Sequence, residues 1–253
     1  FLQLYEMNYK QYSNILDDEC LYKSIEIHAL PEDKLKTLLT GHISKEKIVI
    51  SLSGGVDSMV MLHIFKHFSN TEIVAVHINY NNRDESTAEA DFLDAYCKHL
   101  EVKMIRHDIT HIKRFQRGAN RSEYEQETKT IRYNLYKKVN YDEDIDGIYL
   151  AHHDGDIIEN IFNNVMKNNH VCDLTVLKKE NIINGVTIFR PFIGIKKNVI
   201  IDYANKYDVP YFKDTTPEWS CRGIMRNDIF PNCKKCYGTA FEDNLMKFAE
   251  EVK

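Results

Sequence analysis

No uncharged apolar stretch in the 253 residues approaches the roughly 18 to 20 needed to span a bilayer. The opening residues, with Glu6 and Lys10, also lack the apolar core of a secretory signal. A cytoplasmic protein with no membrane partner is the expectation. Internal repeats and low-complexity tracts are missing as well, which removes solenoids and disordered linkers. Excess positive charge is missing too: 33 Lys plus Arg against 38 Asp plus Glu give a formal net charge of -5, unlike a dedicated nucleic-acid-binding domain. Cysteine is too scarce and scattered for a disulfide framework, with six residues at 20, 97, 172, 221, 233 and 236. They read as thiols. One exception is "CKKC" at Cys233 and Cys236, which with Cys221 could supply three thiolate ligands, one short of a closed tetrahedral site.

What is present is an ordinary globular composition, 43% hydrophobic and 28% charged, enough for one good-sized domain with an appendage. Charge is unevenly spread. Residues 101 to 140 hold ten Lys plus Arg against five Asp plus Glu, among them Lys113, Arg114, Arg117 and Arg121. This is either a local basic face or a solvated helix face of mixed charge.

Hydrophobic periodicity alternates along the chain. Ile48, Val49, Ile50 and Leu52 read as a buried strand, and Met59, Val60, Leu62 and Phe65 as a helix. Strands follow at 72–80, 102–107 and 147–153, with helices at 85–100, 123–139 and 156–167 between and after them. Such alternation predicts an α/β fold, an open doubly wound parallel sheet covered on both faces, with ligands at the carboxyl ends of the strands. Beyond it come a hairpin around Asn184 and Gly185, a helix over 197–207 and an extended "VPYFKD". Three parts result: an N-terminal helical extension (1–46), the alternating domain (47–231) and a C-terminal tail ending in one helix (232–253).

The tight turn "SGGVDS" links the first strand to its helix. Gly54 and Gly55 permit positive φ and close approach of the backbone, Ser53 and Ser58 add hydroxyls, and the helix N-terminus favours an anion. The turn therefore suits a phosphate, although a glycine turn capped by Asp57 or Ser58 would look similar. No GK[ST] follows it, which excludes a Walker A loop. His77 and the pair His152 and His153 fall at other strand ends, where His77 could equally be a satisfied core histidine. Asp156 and Glu159 are three apart on one helix face, above a stripe of Ile157, Ile158, Ile161, Phe162 and Val165. Two carboxylates there either serve a site or simply favour the helix dipole, at roughly 0.3 to 1 kcal/mol each.

The turn resembles the PP-loop of the N-type ATP pyrophosphatases, adenine nucleotide α-hydrolase-like enzymes that cleave ATP between its α and β phosphates and adenylate a substrate oxygen. Within that superfamily, "HINYNNRDESTAEADFLDAYC", "TIRYNLY", "AHHDGDIIEN", "FRPFIGIKK", "YFKDTT" and "MRNDIFP" resemble successive segments of the tRNA(Ile)-lysidine synthetases, covering about 47–231. Three departures stand out: Gly155 replaces one of two paired aspartates, Thr216 and Pro217 replace Ser and Asn after Asp214, and Phe230 stands where an Arg is expected. The related tRNA 2-thiolation enzymes carry a CxxC where this chain has "EYEQETKTIRY".

The resemblance implies an ATP-dependent ligase that adenylates the C2 oxygen of a tRNA cytidine, in a CAU anticodon, and then admits free lysine. ATP would be held by Ser53, Gly54, Gly55, Val56, Asp57 and Ser58, with Val76 and His77 against adenine. Asp57 is the expected Mg2+ ligand, since the loop has no lysine. Asp57, Arg132, Asp156 and Glu159 would be catalytic. His152, His153, Arg190, Lys196, Asp214, Arg226 and Asn227 would bind nucleotide, tRNA or lysine. Thiolation, adenylation of a small carboxylate, and a nucleotide-binding module without catalysis are the competing readings. Oligomeric state is left open, a homodimer included.

Overall fold

The computed structural model describes residues 45–82, 84–112, 121–168, 174, 177–213, 218 and 220–252. Residues 1–44 of the N-terminal extension, Lys113, Arg114, Arg117 and Asp214 lie outside these, as does the side chain of Arg121. Six strands form one open sheet: β1 (Lys47–Ser51), β2 (Glu72–Asn79), β3 (Lys103–Asp108), β4 (Ile148–Tyr149), β5 (Glu180–Ile183) and β6 (Val186–Phe189). Their order is β3-β2-β1-β4-β6-β5. All neighbours are parallel except β5 and β6, a hairpin closed by Asn184 and Gly185, both left-handed as a two-residue turn demands.

Helices α1 (Val56–Phe68), α2 (Ser86–His99) and α5 (Lys197–Lys206) cover one face, and α3 (Arg121–Glu143) covers the other. The two-residue period of β1 decides which side each residue feeds. Ile48 and Ile50 pack with Met59, Leu62, Leu93 and Ile200, while Val49 packs with Tyr133, Tyr136 and Val139 of α3. Being buried on both sides, the strand reads as an unbroken apolar run. Helix α4 (Asp154–Met166) follows β4. A C-terminal group comprises α6 (Cys221–Ile224), a π-helical turn (Met225–Ile229), α7 (Phe230–Tyr237) and α8 (Phe241–Glu251).

After β3 the chain crosses back to the far side of β1, so the winding reverses between β1 and β4. A crevice opens at the carboxyl ends of these two strands, the place where doubly wound sheets bind ligands.

Three expectations are corrected in detail. The fourth strand spans Ile148–Tyr149 rather than 147–153. Leu150 N still donates to Phe189 O at 2.8 Å, but the residues after it leave the sheet to form the approach to α4. In α4 the apolar stripe ends at Phe162: Val165 is 40% exposed, and Asn164 is buried instead, its Nδ2 donating to Leu174 O at 3.2 Å. The boundary drawn at 231 falls inside α7, and α8 packs against α4 through Leu245, Met246 and Ala249 on Ile157 and Ile161.

At the opposite end of the sheet, Glu143 closes α3 as a buried carboxylate, taking Lys47 Nζ at 2.7 Å and Lys103 Nζ at 2.5 Å. Lys103 first, then Lys47, hold its pKa below the usual glutamate value, against the opposing effect of burial. A carboxyl depressed in the folded state adds stability above its unfolded value, and that stability is lost as pH falls through the folded one. Urea unfolding of Glu143→Gln should therefore show about 1 kcal/mol less stability at pH 7. The difference from the parent should shrink below pH 4.5, the ordinary value. An equal gap at pH 3 and pH 7 would contradict it.

Candidate active site

Backbone geometry shapes the turn after β1. Gly54 takes φ +86°, and a Cβ there would lie 2.5 Å from Phe212 Cδ2 and 2.7 Å from its Cε2. Phe212 comes from the extended segment after α5, and its N–H donates to Gly54 O at 2.9 Å, so that segment braces the loop as a one-residue parallel bridge. Ser58 Oγ accepts from Ser53 N at 3.1 Å and donates to Gly55 O at 3.0 Å, and Ser53 Oγ accepts from Gly55 N at 3.3 Å. These bonds tie the two ends of the loop together over the N-terminus of α1, where unpaired N–H groups attract anions.

Asp57 sits in the first turn of α1, and its two oxygens receive Lys197 Nζ at 2.8 and 2.6 Å. Across the crevice, His153 caps α4. Its Nδ1 accepts Gly155 N at 2.9 Å, so a neutral ring carries its proton on Nε2. Nε2 lies 3.7 Å from Asp57 Oδ1 and 3.8 Å from Asp156 Oδ2. One imidazole thus stands between the phosphate-loop carboxylate and the carboxylate of α4. Asp156 Oδ2 also accepts His153 N at 3.0 Å, completing a reciprocal cap. Burial pushes the Asp156 carboxyl up, but the neighbouring imidazoles of His153 and His152, the His153 N–H and Arg222 outweigh it, leaving a pKa below the ordinary value.

Gly155, the departure from paired aspartates, has a local cause: a Cβ there would meet His153 Cε1 at 2.6 Å. The missing side chain leaves room for the capping ring. One turn on, buried Glu159 is committed to arginines, with Arg226 Nε at 2.5 Å from Oε1 and Arg222 Nε at 3.4 Å from Oε2. Arg226 projects from the π-helical turn, an irregularity common at functional sites. Asp57, His153, Asp156, Glu159, Lys197 and Arg226 all line one cleft of about 950 Å³, whose wall is completed by Phe212, Phe230 and Glu242.

The sequence profile of the PP-loop domain family matches residues 28–233. The chain belongs to the PP-loop domain family. It is 28% identical over 222 residues to a tRNA(Ile)-lysidine synthase of Chlamydia felis, covering 87% of this chain and 68% of that one. It is also 31% identical over 200 residues to the tRNA(Ile)-lysidine synthase of Oceanobacillus iheyensis, covering 73% and 41%. Among solved structures, the U34-tRNA thiolase NcsA of Methanococcus maripaludis, with its 4Fe-4S cluster, superposes with TM-score 0.66 at 19% identity, covering 87% of this chain and 76% of that one. An NH3-dependent NAD synthetase of Campylobacter jejuni gives 0.52 at 12% identity, covering 88% and 95%. Both structures share the PP-loop fold.

The remaining expected residues of this PP-loop protein fall into two groups. On the α3 side, Arg132 lies over the Tyr133 ring, 5.6 Å from its centre, and its charge opposes the rise that burial imposes on the Tyr80 pKa. Nearby, Arg190 is 1% exposed; its Nε donates to His152 Nδ1 at 3.1 Å and its Nη1 donates to both Lys178 O and Asn181 Oδ1. Burial, with Arg190 and other arginines close by, lowers the His152 pKa to about 4, so this ring is neutral. Arg190 therefore holds His152 and the start of β5 rather than facing the cleft. Val76 lies under α3, and buried His77 gives its Nδ1 proton to Leu52 O at 2.8 Å, the satisfied core arrangement.

The second group lies around the cleft. Lys196 reaches Asp243 at 3.3 Å and Asn227 is exposed, so neither joins the carboxylates. Lys197, the neighbour of Lys196, is the lysine that reaches the PP-loop, and nothing in two adjacent lysines marks which of them turns inward. Among the described residues, no three His, Cys, Asp or Glu side chains converge as a metal-holding group, Cys221, Cys233 and Cys236 included.

Proposed function

We propose that this protein uses ATP to adenylate the C2 oxygen of a tRNA cytidine and then joins free lysine to that carbon, with AMP and pyrophosphate released. The observation that carries this reading is that the phosphate loop and the α4 carboxylate open into one cleft, with His153 Nε2 within 3.8 Å of both Asp57 and Asp156. The naming of the curated relatives supports the substrate classes. The loop N–H groups, Ser53 and Ser58 would hold the β and γ phosphates. In the first step the cytosine oxygen attacks the α phosphorus and pyrophosphate leaves; in the second the lysine amine attacks C2 and AMP leaves.

Mg2+ fits this site. Asp57 offers hard oxygen at the cleft, and one carboxylate plus substrate phosphates is the usual magnesium arrangement. When bound, the ion would neutralise charge on the phosphates. Asp156, whose depressed pKa keeps it an anion, is the counter-ion for the incoming ammonium. Glu159, already paired, instead fixes Arg226 at the cleft.

AMP formation from ATP labelled at the α phosphate, measured with Mg2+, tRNA of CAU anticodon and lysine, tests the reading. AMP should depend on both tRNA and lysine. Dependence on tRNA without lysine would replace lysine by another nucleophile, and no AMP under any condition would reject catalysis. Under the tRNA reading, replacing Arg114 and Arg117 by Ala should weaken tRNA stimulation, because flat RNA surfaces rely on such phosphate contacts.

A further inference from the structure

The loop that receives phosphate contains an acid and no cation. Asp57 in the first turn of α1 favours the helix dipole but repels a polyphosphate arriving at the same N-terminus. Lys197 answers that charge, with both Asp57 oxygens within 2.8 Å of its Nζ. Its location is unfavourable for its own helix: Lys197 opens α5 directly after Lys196, and the first turn of that helix holds no acid. A cation at a helix N-terminus opposes the dipole, so the position is explained by Asp57 and not by α5. The lysine side chain is 42% exposed and Asp57 26%. An ion pair this open is weak and exchangeable, and the four-carbon stem lets the amine swing over several ångströms.

We propose that Lys197 is a displaceable counter-ion of the nucleotide site. It occupies Asp57 while the loop is empty. When a divalent cation carrying a polyphosphate takes the carboxylate, the amine is released to the non-bridging oxygens of the β and γ phosphates, the group that leaves as pyrophosphate. This rests on the reading of the loop as an ATP site and adds to it a residue that touches substrate. It also predicts competition: the lysine and the divalent cation cannot hold the same two oxygens together, so nucleotide-free protein should bind metal poorly until polyphosphate gives the lysine somewhere to go.

The test uses the full chain and two variants, Lys197→Gln and Lys197→Arg, both folding normally since the side chain is half in solvent. Free Mn2+ is read by electron paramagnetic resonance without nucleotide, and binding of Mn2+-ATP and of adenosine is read by calorimetry. Lys197→Gln should bind Mn2+ alone about fivefold more tightly, having lost the competitor, and Mn2+-ATP about tenfold more weakly, having lost one charge-assisted contact. Adenosine affinity should not change, and Lys197→Arg should keep Mn2+-ATP binding within about threefold of the parent. A purely structural tether between α1 and α5 would leave Mn2+-ATP affinity untouched in Lys197→Gln; that result, or Mn2+ alone binding no more tightly, overturns the proposal while the ATP site stands. If the parent itself binds no Mn2+-ATP, the ATP reading and this inference fall together.

Discussion

Asp57→Asn should lower AMP release by about a hundredfold or more, the usual cost of removing a group that places charge-neutralising metal on a transferring phosphoryl group. Asparagine keeps the size and one acceptor oxygen, so the loop bonds among Ser53, Gly55 and Ser58 persist, none of them passing through residue 57. What disappears is the charge. The variant should melt within a few degrees of the parent, because its ion pair with Lys197 is open to solvent and His153 Nε2 lies no nearer than 3.7 Å. A loss of less than threefold would remove Asp57 from the metal and phosphate chemistry.

Gly54→Ala should act through the backbone and cost both stability and binding. At φ +86° an L residue is strained, and its Cβ would stand 2.5 Å from Phe212 Cδ2, a side chain held edge-on against Phe92 at 5.4 Å. Strain and overpacking together should cost about 2 kcal/mol, or roughly 4 to 8 °C in melting temperature for a chain of this size. If Phe212 is pushed aside, the brace on the loop goes with it, and Mg2+-ATP affinity should fall by about tenfold or more. Normal melting with normal ATP affinity would show that the bridge from Phe212 to the loop does not shape it.

Much of the architecture was legible because it follows from local pattern. Ile48, Val49 and Ile50 face alternate sides of a sheet covered twice, so the run could only be a central strand. The Asn184–Gly185 pair announced its hairpin. Site features written in backbone terms were equally legible: Gly54 for positive φ, and Asp156 in the first turn of a helix beyond a strand. What escaped depends on which neighbour a side chain meets across the fold. The adjacent lysines 196 and 197 are chemically identical in sequence, and the entry angle of α5 alone sends one to Asp243 and the other to Asp57. Glu159 read as a free acid because its arginines arrive from 63 and 67 residues away, on a π-turn no periodicity marks. Arg190 read as a ligand-binding cation, yet its burial makes it a clamp on His152. Val165 fitted the spacing of the stripe, but the buried place at that turn goes to Asn164, whose amide bonds Leu174 O.

Helix α8 lies beyond residue 233, the last that the family profile matches. Yet Leu245, Met246 and Ala249 roof the back of α4 at Ile157 and Ile161, directly behind Asp156 and Glu159, and Glu242 at its start faces the cleft. A gene trimmed to the recognisable domain would therefore unroof the helix that carries Asp156 and Glu159, while leaving every motif residue in place. The packed unit of this chain is larger than its signature.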